Sequence, residues 1–149
     1  MTTPPPVDAS DRTKRYRLIL AEDEAGLREV LAEILEVAFD VVSVCSGEEA
    51  VDCLADTRPD VALFDVNLGD LTGLEVVRIA RVELELELPC LLMTARPDND
   101  LLSAADRLGV AEVLAKPFPR RDLVRSVSGV MARSYGETGS ESWFDPTCN

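Results

Sequence analysis

Between residues 15 and 133, short apolar runs alternate with stretches whose apolar residues recur every three or four positions. Arg17-Leu18-Ile19-Leu20-Ala21 reads as a short buried strand. Leu27, Val30, Leu31, Ile34 and Leu35 then follow helical spacing and share one face. Val41-Val42-Ser43-Val44-Cys45 predicts a second strand, and Ser46-Gly47-Glu48-Glu49 is a capping-box sequence opening a helix through Ala50, Val51 and Leu54. The third strand, Val61-Ala62-Leu63-Phe64, ends on Asp65. Thr72-Gly73-Leu74-Glu75 repeats the capping-box signature ahead of a helix through Val77, Ala80 and Leu84. Pro89-Cys90-Leu91-Leu92-Met93 predicts the fourth strand, ending at Thr94, and Leu101, Leu102, Ala105 and Leu108 a helix closed by Gly109. Val113-Leu114-Ala115 predicts the fifth strand, ending at Lys116-Pro117, and Leu123, Val127, Val130 and Met131 mark the last helix.

Five strands alternating with five helices predict an α/β fold, a doubly wound (βα)5 arrangement around a five-stranded parallel sheet. Strands that are near-continuous apolar runs fit a sheet covered on both faces. Residues 15–133 form the expected domain. Residues 1–14, polar and containing Pro4-Pro5-Pro6, read as a disordered leader. Residues 134–149, rich in Ser, Gly, Glu and Thr, read as a flexible tail carrying Trp143 and Phe144.

Composition narrows the function. Apolar residues make up 46% and charged residues 29%, an ordinary balance for a water-soluble domain. No uncharged apolar stretch approaches the ~18 residues of a membrane span. The N-terminus has no apolar signal core, so the expected location is cytoplasmic. Cys45, Cys53, Cys90 and Cys148 form no CxxC pair and no metal-ligand spacing; three lie in apolar patterns and read as reduced structural thiols. The net charge of -13 would repel phosphate backbones, which argues against nucleic acid as a partner. The chain holds no histidine, excluding imidazole triads, HExxH zinc sites and phosphohistidine chemistry of its own.

Candidate chemistry gathers where ligands bind open α/β sheets, at the carboxyl ends of the strands. Strand one ends in Glu22-Asp23, strand three in Asp65, strand four in Thr94 and strand five in Lys116. Each has an ordinary explanation alone: helix N-terminal charge for Glu22-Asp23, a turn for Asp65, a cap for Thr94, a solvated charge for Lys116. Their joint placement on one rim is what chance does not supply. Three carboxylates in one cleft raise one another's pKa unless a cation neutralises them. Oxygen ligands without His or Cys select a hard ion, here Mg2+ with retained waters. A carboxylate beside that ion, with a lysine and a hydroxyl to receive phosphoryl oxygens, is equipped to make and hold an acyl phosphate.

These pieces resemble a response-regulator receiver domain over roughly residues 15–133. The matching residues are Leu20-Ala21-Glu22-Asp23, Leu63-Phe64-Asp65-Val66-Asn67-Leu68, Gly73, Thr94-Ala95 and Lys116-Pro117-Phe118. The resemblance implies a flavodoxin-like fold and a switch of a two-component phosphorelay, without small-molecule turnover. Asp65 would take a phosphoryl group from a partner histidine kinase or phosphotransfer protein and so alter contacts with a downstream protein target. Asp23 and Asp65 would bind Mg2+ through side-chain oxygens, Asn67 through its main-chain carbonyl and Glu22 mainly through water. Thr94 and Lys116 would meet the phosphoryl group, and the Lys116–Pro117 bond would be cis. Val113 replaces the family's usual aromatic, Gly69 a common Pro, and Ala38 a Gly that usually closes the first helix. The first departure puts the usual aromatic output in doubt, and the last implies a weaker helix cap.

Two alternatives remain. A haloacid-dehalogenase-like phosphatase also uses an aspartyl nucleophile, Mg2+ and lysine, but Asn67 stands where it needs a second Asp, and a strand-helix-strand-helix precedes Asp65. A phosphate-independent pseudo-receiver is opposed by the full set of Glu22, Asp23, Asp65, Thr94 and Lys116. With no effector domain after residue 133, a stand-alone receiver is favoured over a piece cut from a longer protein.

Overall fold

Apolar side chains on both faces of a strand need cover on both sides. In the computed structural model, which describes residues 15–136 and Phe144, the three inner strands receive it and the two edge strands only in part. The chain runs β1 (Arg17–Ala21), α1 (Ala25–Leu35), β2 (Asp40–Val44), α2 (Gly47–Thr57), β3 (Val61–Asp65), α3 (Gly73–Arg78), β4 (Cys90–Thr94), α4 (Asn99–Arg107), β5 (Glu112–Ala115) and α5 (Arg120–Tyr135). All strand pairs are parallel and the sheet order is β2-β1-β3-β4-β5, the expected (βα)5 architecture. Strand alternation splits the core in two. Leu18, Leu20, Leu63, Leu91 and Met93 pack with Leu31, Leu35, Leu123 and Val127 of α1 and α5. Ile19, Ala62, Phe64 and Leu92 face the other way, onto Ala50, Leu54, Val76 and Val77 of α2 and α3.

Several local details depart from the sequence pattern. The third helix does not run on as α-helix to Leu84: after Arg78 it widens into a π-helical turn, Ile79–Glu83. That turn and the following Leu84-Glu85-Leu86-Glu87-Leu88 segment are tied down by Arg81. Its guanidinium donates to the carbonyls of Leu86, Leu88, Leu108 and Gly109. At α2 only half of the expected capping box forms. The Ser46 hydroxyl accepts the Glu49 N–H, but the Glu49 carboxylate accepts from Cys45. At α3 the Thr72–Glu75 box is complete. Ala38 is no handicap to α1: the described non-glycine residues with positive φ are Arg58 and Glu85, so this turn needs no glycine at 38. Of the cysteines, Cys90 is buried as expected, with burial pushing its thiol up to about 11, Cys53 is half-buried and Cys45 is exposed. Cys45 follows β2, an edge strand with no buried residue of its own.

The five apolar positions of α1 do not all reach the core. Leu31 and Leu35 do, whereas Val30 is 54% exposed and walls a surface groove. Helix α4 is the least embedded, with Ala105 its buried residue. At the opposite pole from the strand carboxyl ends, Arg15 donates to the carbonyls of Glu36 and Phe39. Tyr16 stacks near Tyr135, and Phe144 is buried with its ring edge-on to Phe39. Trp143, Cys148 and the leader 1–14 lie outside the described residues. Among the described residues no helix is long and apolar enough to cross a membrane. Truncating Leu63, fully buried in the central strand, is expected to cost about 2–5 kcal/mol in urea unfolding. Val82→Ala, on the exposed π turn, is expected to stay within about 0.5 kcal/mol of wild type.

Candidate functional site

Because β1 and β3 are adjacent and in register, Ala21 pairs with Phe64, and the residues just beyond them share one end of the sheet. Asp65 is opposite Met93 of β4, which places Thr94 one position further along that neighbouring strand. Thr94 in turn pairs with Ala115, so Lys116 leaves β5 beside the same rim. The sequence expectation that these strand ends converge is met. Oxygen atoms of Glu22, Asp23 and Asp65 lie within 4.8 Å of one another.

The charges are arranged around one ammonium. Lys116 Nζ is 3.0 Å from Glu22 Oε1 and 3.2 Å from Asp65 Oδ1. Glu22 is 1% exposed and Asp65 6%, so both carboxylates are largely removed from water. Burial raises the Glu22 pKa, a rise opposed by its hydrogen bonds with Lys116 and the Glu24 N–H. Burial alone would lower the Lys116 pKa; the Glu22 hydrogen bond and the Asp65 and Glu22 charges together outweigh it and raise the value. The second Glu22 oxygen accepts from the Glu24 N–H at 3.2 Å, so both oxygens are engaged. The Glu22 main-chain carbonyl accepts from Arg28 of α1 at 2.8 Å. Asp23, by contrast, is exposed.

Thr94 is buried at the end of β4, and its hydroxyl oxygen accepts from the Arg96 N–H at 3.0 Å. Residues 95–100 beyond it are exposed, up to the start of α4, whose cap Asp98 takes the Leu101 N–H. Val113 is half-buried against the α3 side of the core. The Lys116–Pro117 bond is cis, as the resemblance implied.

The loop between Asp65 and α3 is held at close quarters. The Gly73 N–H donates to the Val66 carbonyl at 2.8 Å, and Asn67 bridges to Thr72. A Cβ on Gly73 would press into the Asp65 carbonyl oxygen more closely than real Cβ atoms approach, so only glycine fits there. Gly69 adopts a φ of 90°, which the proline common at this position in the family could not. Sequence reasoning did not single out Asp70, whose carboxylate takes the N–H groups of Gly47 and Glu48 at 2.8 and 2.9 Å. No local signal links residues so far apart in sequence. Beside the rim, between α1 and the segment leading into α5, lies an apolar groove of about 500 Å³. Leu27, Val30, Ile34 and Phe118 line it, and Lys116 and Ala95 form the end nearest the carboxylates.

Oxygen donors alone, two of them buried and one open to solvent, suit a hard cation that keeps part of its water shell. The lysine across from them offsets only one of the three negative charges, which leaves room for such a cation to offset the rest. Residues 18–128 match the model of the response regulator receiver domain. The chain belongs to the response-regulator receiver family. The receiver is 29% identical over 119 residues to the phosphate regulon transcriptional regulatory protein PhoB of Pseudomonas aeruginosa, covering 78% of this chain and 52% of PhoB. It is also 29% identical over 126 residues to the DNA-binding response regulator MtrA of Mycobacterium tuberculosis, covering 84% of this chain and 54% of MtrA. The receiver thus spans about half the length of the curated relatives it matches. Among solved structures it resembles the non-phosphorylated HemR receiver domain from Leptospira biflexa, with 27% identity and a TM-score of 0.74 over 79% of this chain and 95% of that one.

Removing the ammonium from the receiver would leave two buried carboxylates facing each other. Lys116→Met is expected to lower stability by about 2–4 kcal/mol at neutral pH without added metal. Urea unfolding checks it, and a loss under about 0.5 kcal/mol would mean the pair behaves like an exposed one.

Proposed function

We propose that the receiver is a two-component signalling switch in which Asp65 accepts a phosphoryl group from a phosphohistidine of a partner kinase or phosphotransfer protein. The bond from an Asp65 oxygen to phosphorus forms as the donor's phosphorus–nitrogen bond breaks, its electron pair returning to the imidazole. The observation that carries this reading is Lys116 set between Glu22 and Asp65 at 3.0 and 3.2 Å. Its ammonium can follow a phosphoryl oxygen on Asp65 while Glu22 keeps it in place. Thr94 offers its hydroxyl from the adjacent strand and would give up its contact with the Arg96 N–H as it turns. That couples the phosphoryl group to the exposed segment leading into α4.

Mg2+ would be held by side-chain oxygens of Asp23 and Asp65 and by the Asn67 main-chain carbonyl. Glu22, with both oxygens engaged, would act through water. When bound, the ion supplies the positive charge that phosphoryl transfer to a carboxylate needs. The exposed face of α4, β5 and α5 would then meet the downstream protein target. Val113 is too small to report the change as a swinging ring, so the signal rests on Thr94 and residues 95–98. The net charge of -13 keeps nucleic acid out of this chain's own role. That MtrA is DNA-binding describes that longer protein.

Intact-mass analysis with acetyl phosphate and Mg2+ tests the reading. One added phosphoryl group is expected, absent without Mg2+ and absent in Asp65→Asn; an inert wild type would contradict it. The apolar groove supports a docking place for the donor protein, because Lys116, which is paired with Asp65, lines one end of it. Val30→Asp, exposed and remote from the carboxylates, is expected to slow transfer from the cognate donor protein at least roughly tenfold by placing a charge in the apolar contact. Phosphorylation by acetyl phosphate should stay at the wild-type rate.

A further inference from the structure

A metal ligand supplied by a main-chain carbonyl is only as well placed as the loop that carries it. The loop from Val66 to Thr72 is fixed by three contacts of different kinds. Leu68 is 3% exposed and sits in the core against the α2 and α3 side. Gly73 lies against the Asp65 carbonyl, so closely that no side chain fits. Between these two, Asp70 reaches across to α2. Its Oδ1 takes the N–H of Gly47 at 2.8 Å and its Oδ2 that of Glu48 at 2.9 Å, while its own neighbour Leu71 donates at 2.7 Å. These N–H groups hold the Asp70 carboxyl below the usual carboxylate range. Helix α2 already has a local cap, the Ser46 hydroxyl on the Glu49 N–H. Asp70 therefore occupies different donors of the same helix end, the first-turn N–H groups that Ser46 does not reach. Gly47 completes the fit, since a Cβ there would collide with Leu71.

We infer that Asp70 is a positioning residue for the phosphoacceptor site, clamping the loop that bears Asn67 onto the N-terminus of α2. It touches neither the proposed ion nor the phosphoryl group. It acts by holding the Asn67 backbone where the carboxylates of Asp23 and Asp65 can share a cation with it. This rests on the proposed role of Asp65 and Mg2+.

The test is the Mg2+ dependence of Asp65 phosphorylation by acetyl phosphate in the full chain, compared across four proteins. Asp70→Ala is expected to raise the half-saturating Mg2+ concentration by roughly tenfold, the scale of losing a residue that orients a metal ligand. The rate at saturating Mg2+ should stay near wild type. Asp70→Asn keeps an oxygen for the Gly47 and Leu71 N–H groups but sets an NH2 against that of Glu48, so its Mg2+ requirement should fall between wild type and Asp70→Ala. Ser46→Ala, which uncaps the same helix without touching the loop, should lower stability while leaving the Mg2+ dependence unchanged. An Asp70→Ala protein with wild-type Mg2+ dependence overturns the inference alone. So does a Ser46→Ala protein with the same Mg2+ shift. A wild type that remains unphosphorylated overturns the function of Asp65 and this inference with it.

Discussion

Two buried carboxylates cannot share one end of a sheet without a counter-charge, and the site depends on how that requirement is met. Lys116 reaches from the end of β5 across β4 to Glu22 and Asp65, at the ends of β1 and β3. The interaction fixes the relative positions of three strand ends and leaves Asp23 exposed at the solvent side. It is also poised to change. A phosphoryl group on Asp65 would add negative charge next to the same ammonium, and Thr94 at the end of the intervening strand already bonds the segment that leads to α4.

The scaffold around this cluster is densely bonded at the carboxylates and sparsely packed toward α4. Glu22 is held through side-chain and main-chain contacts to Lys116, Glu24 and Arg28. The loop after Asp65 is wedged between the core and α2. Helix α4 is different: it buries little, and the segment before it is exposed, while its far end is bound through Leu108 and Gly109 to Arg81. A helix anchored at one end and weakly packed along its length moves at the other with modest energy. That is the end next to Thr94.

Much of this was legible in the sequence because the physics was local. Buried strands need unbroken apolar runs, and four of the five runs here, those of β1, β3, β4 and β5, stopped at a polar residue on the rim. Order and spacing alone therefore brought Glu22, Asp23, Asp65, Thr94 and Lys116 together. What was not legible depended on tertiary contacts. Asp70 reads as a loop aspartate until α2 is in place beside it. Val30 fits the buried stripe of α1 by spacing, yet the neighbouring segment at Phe118 leaves an open groove there. The π turn after Arg78 leaves no mark in the period because the Leu84, Leu86 and Leu88 alternation sits among glutamates that suit a helix or a loop equally well. Glu49 carries a capping-box spacing, but its carboxylate is taken by Cys45 instead.

A phosphoryl group on Asp65 would break into its 3.2 Å contact with Lys116 and so reorganise the rim and the approach to α4. Amide hydrogen exchange of the full chain, with Mg2+ and with or without beryllofluoride as the phosphoryl mimic, tests it most directly. Altered exchange is expected in residues 65–73, 94–99 and 116–119, with the strands of the sheet unchanged. Exchange that is identical with and without beryllofluoride, or that changes only in residues 65–73, would contradict it.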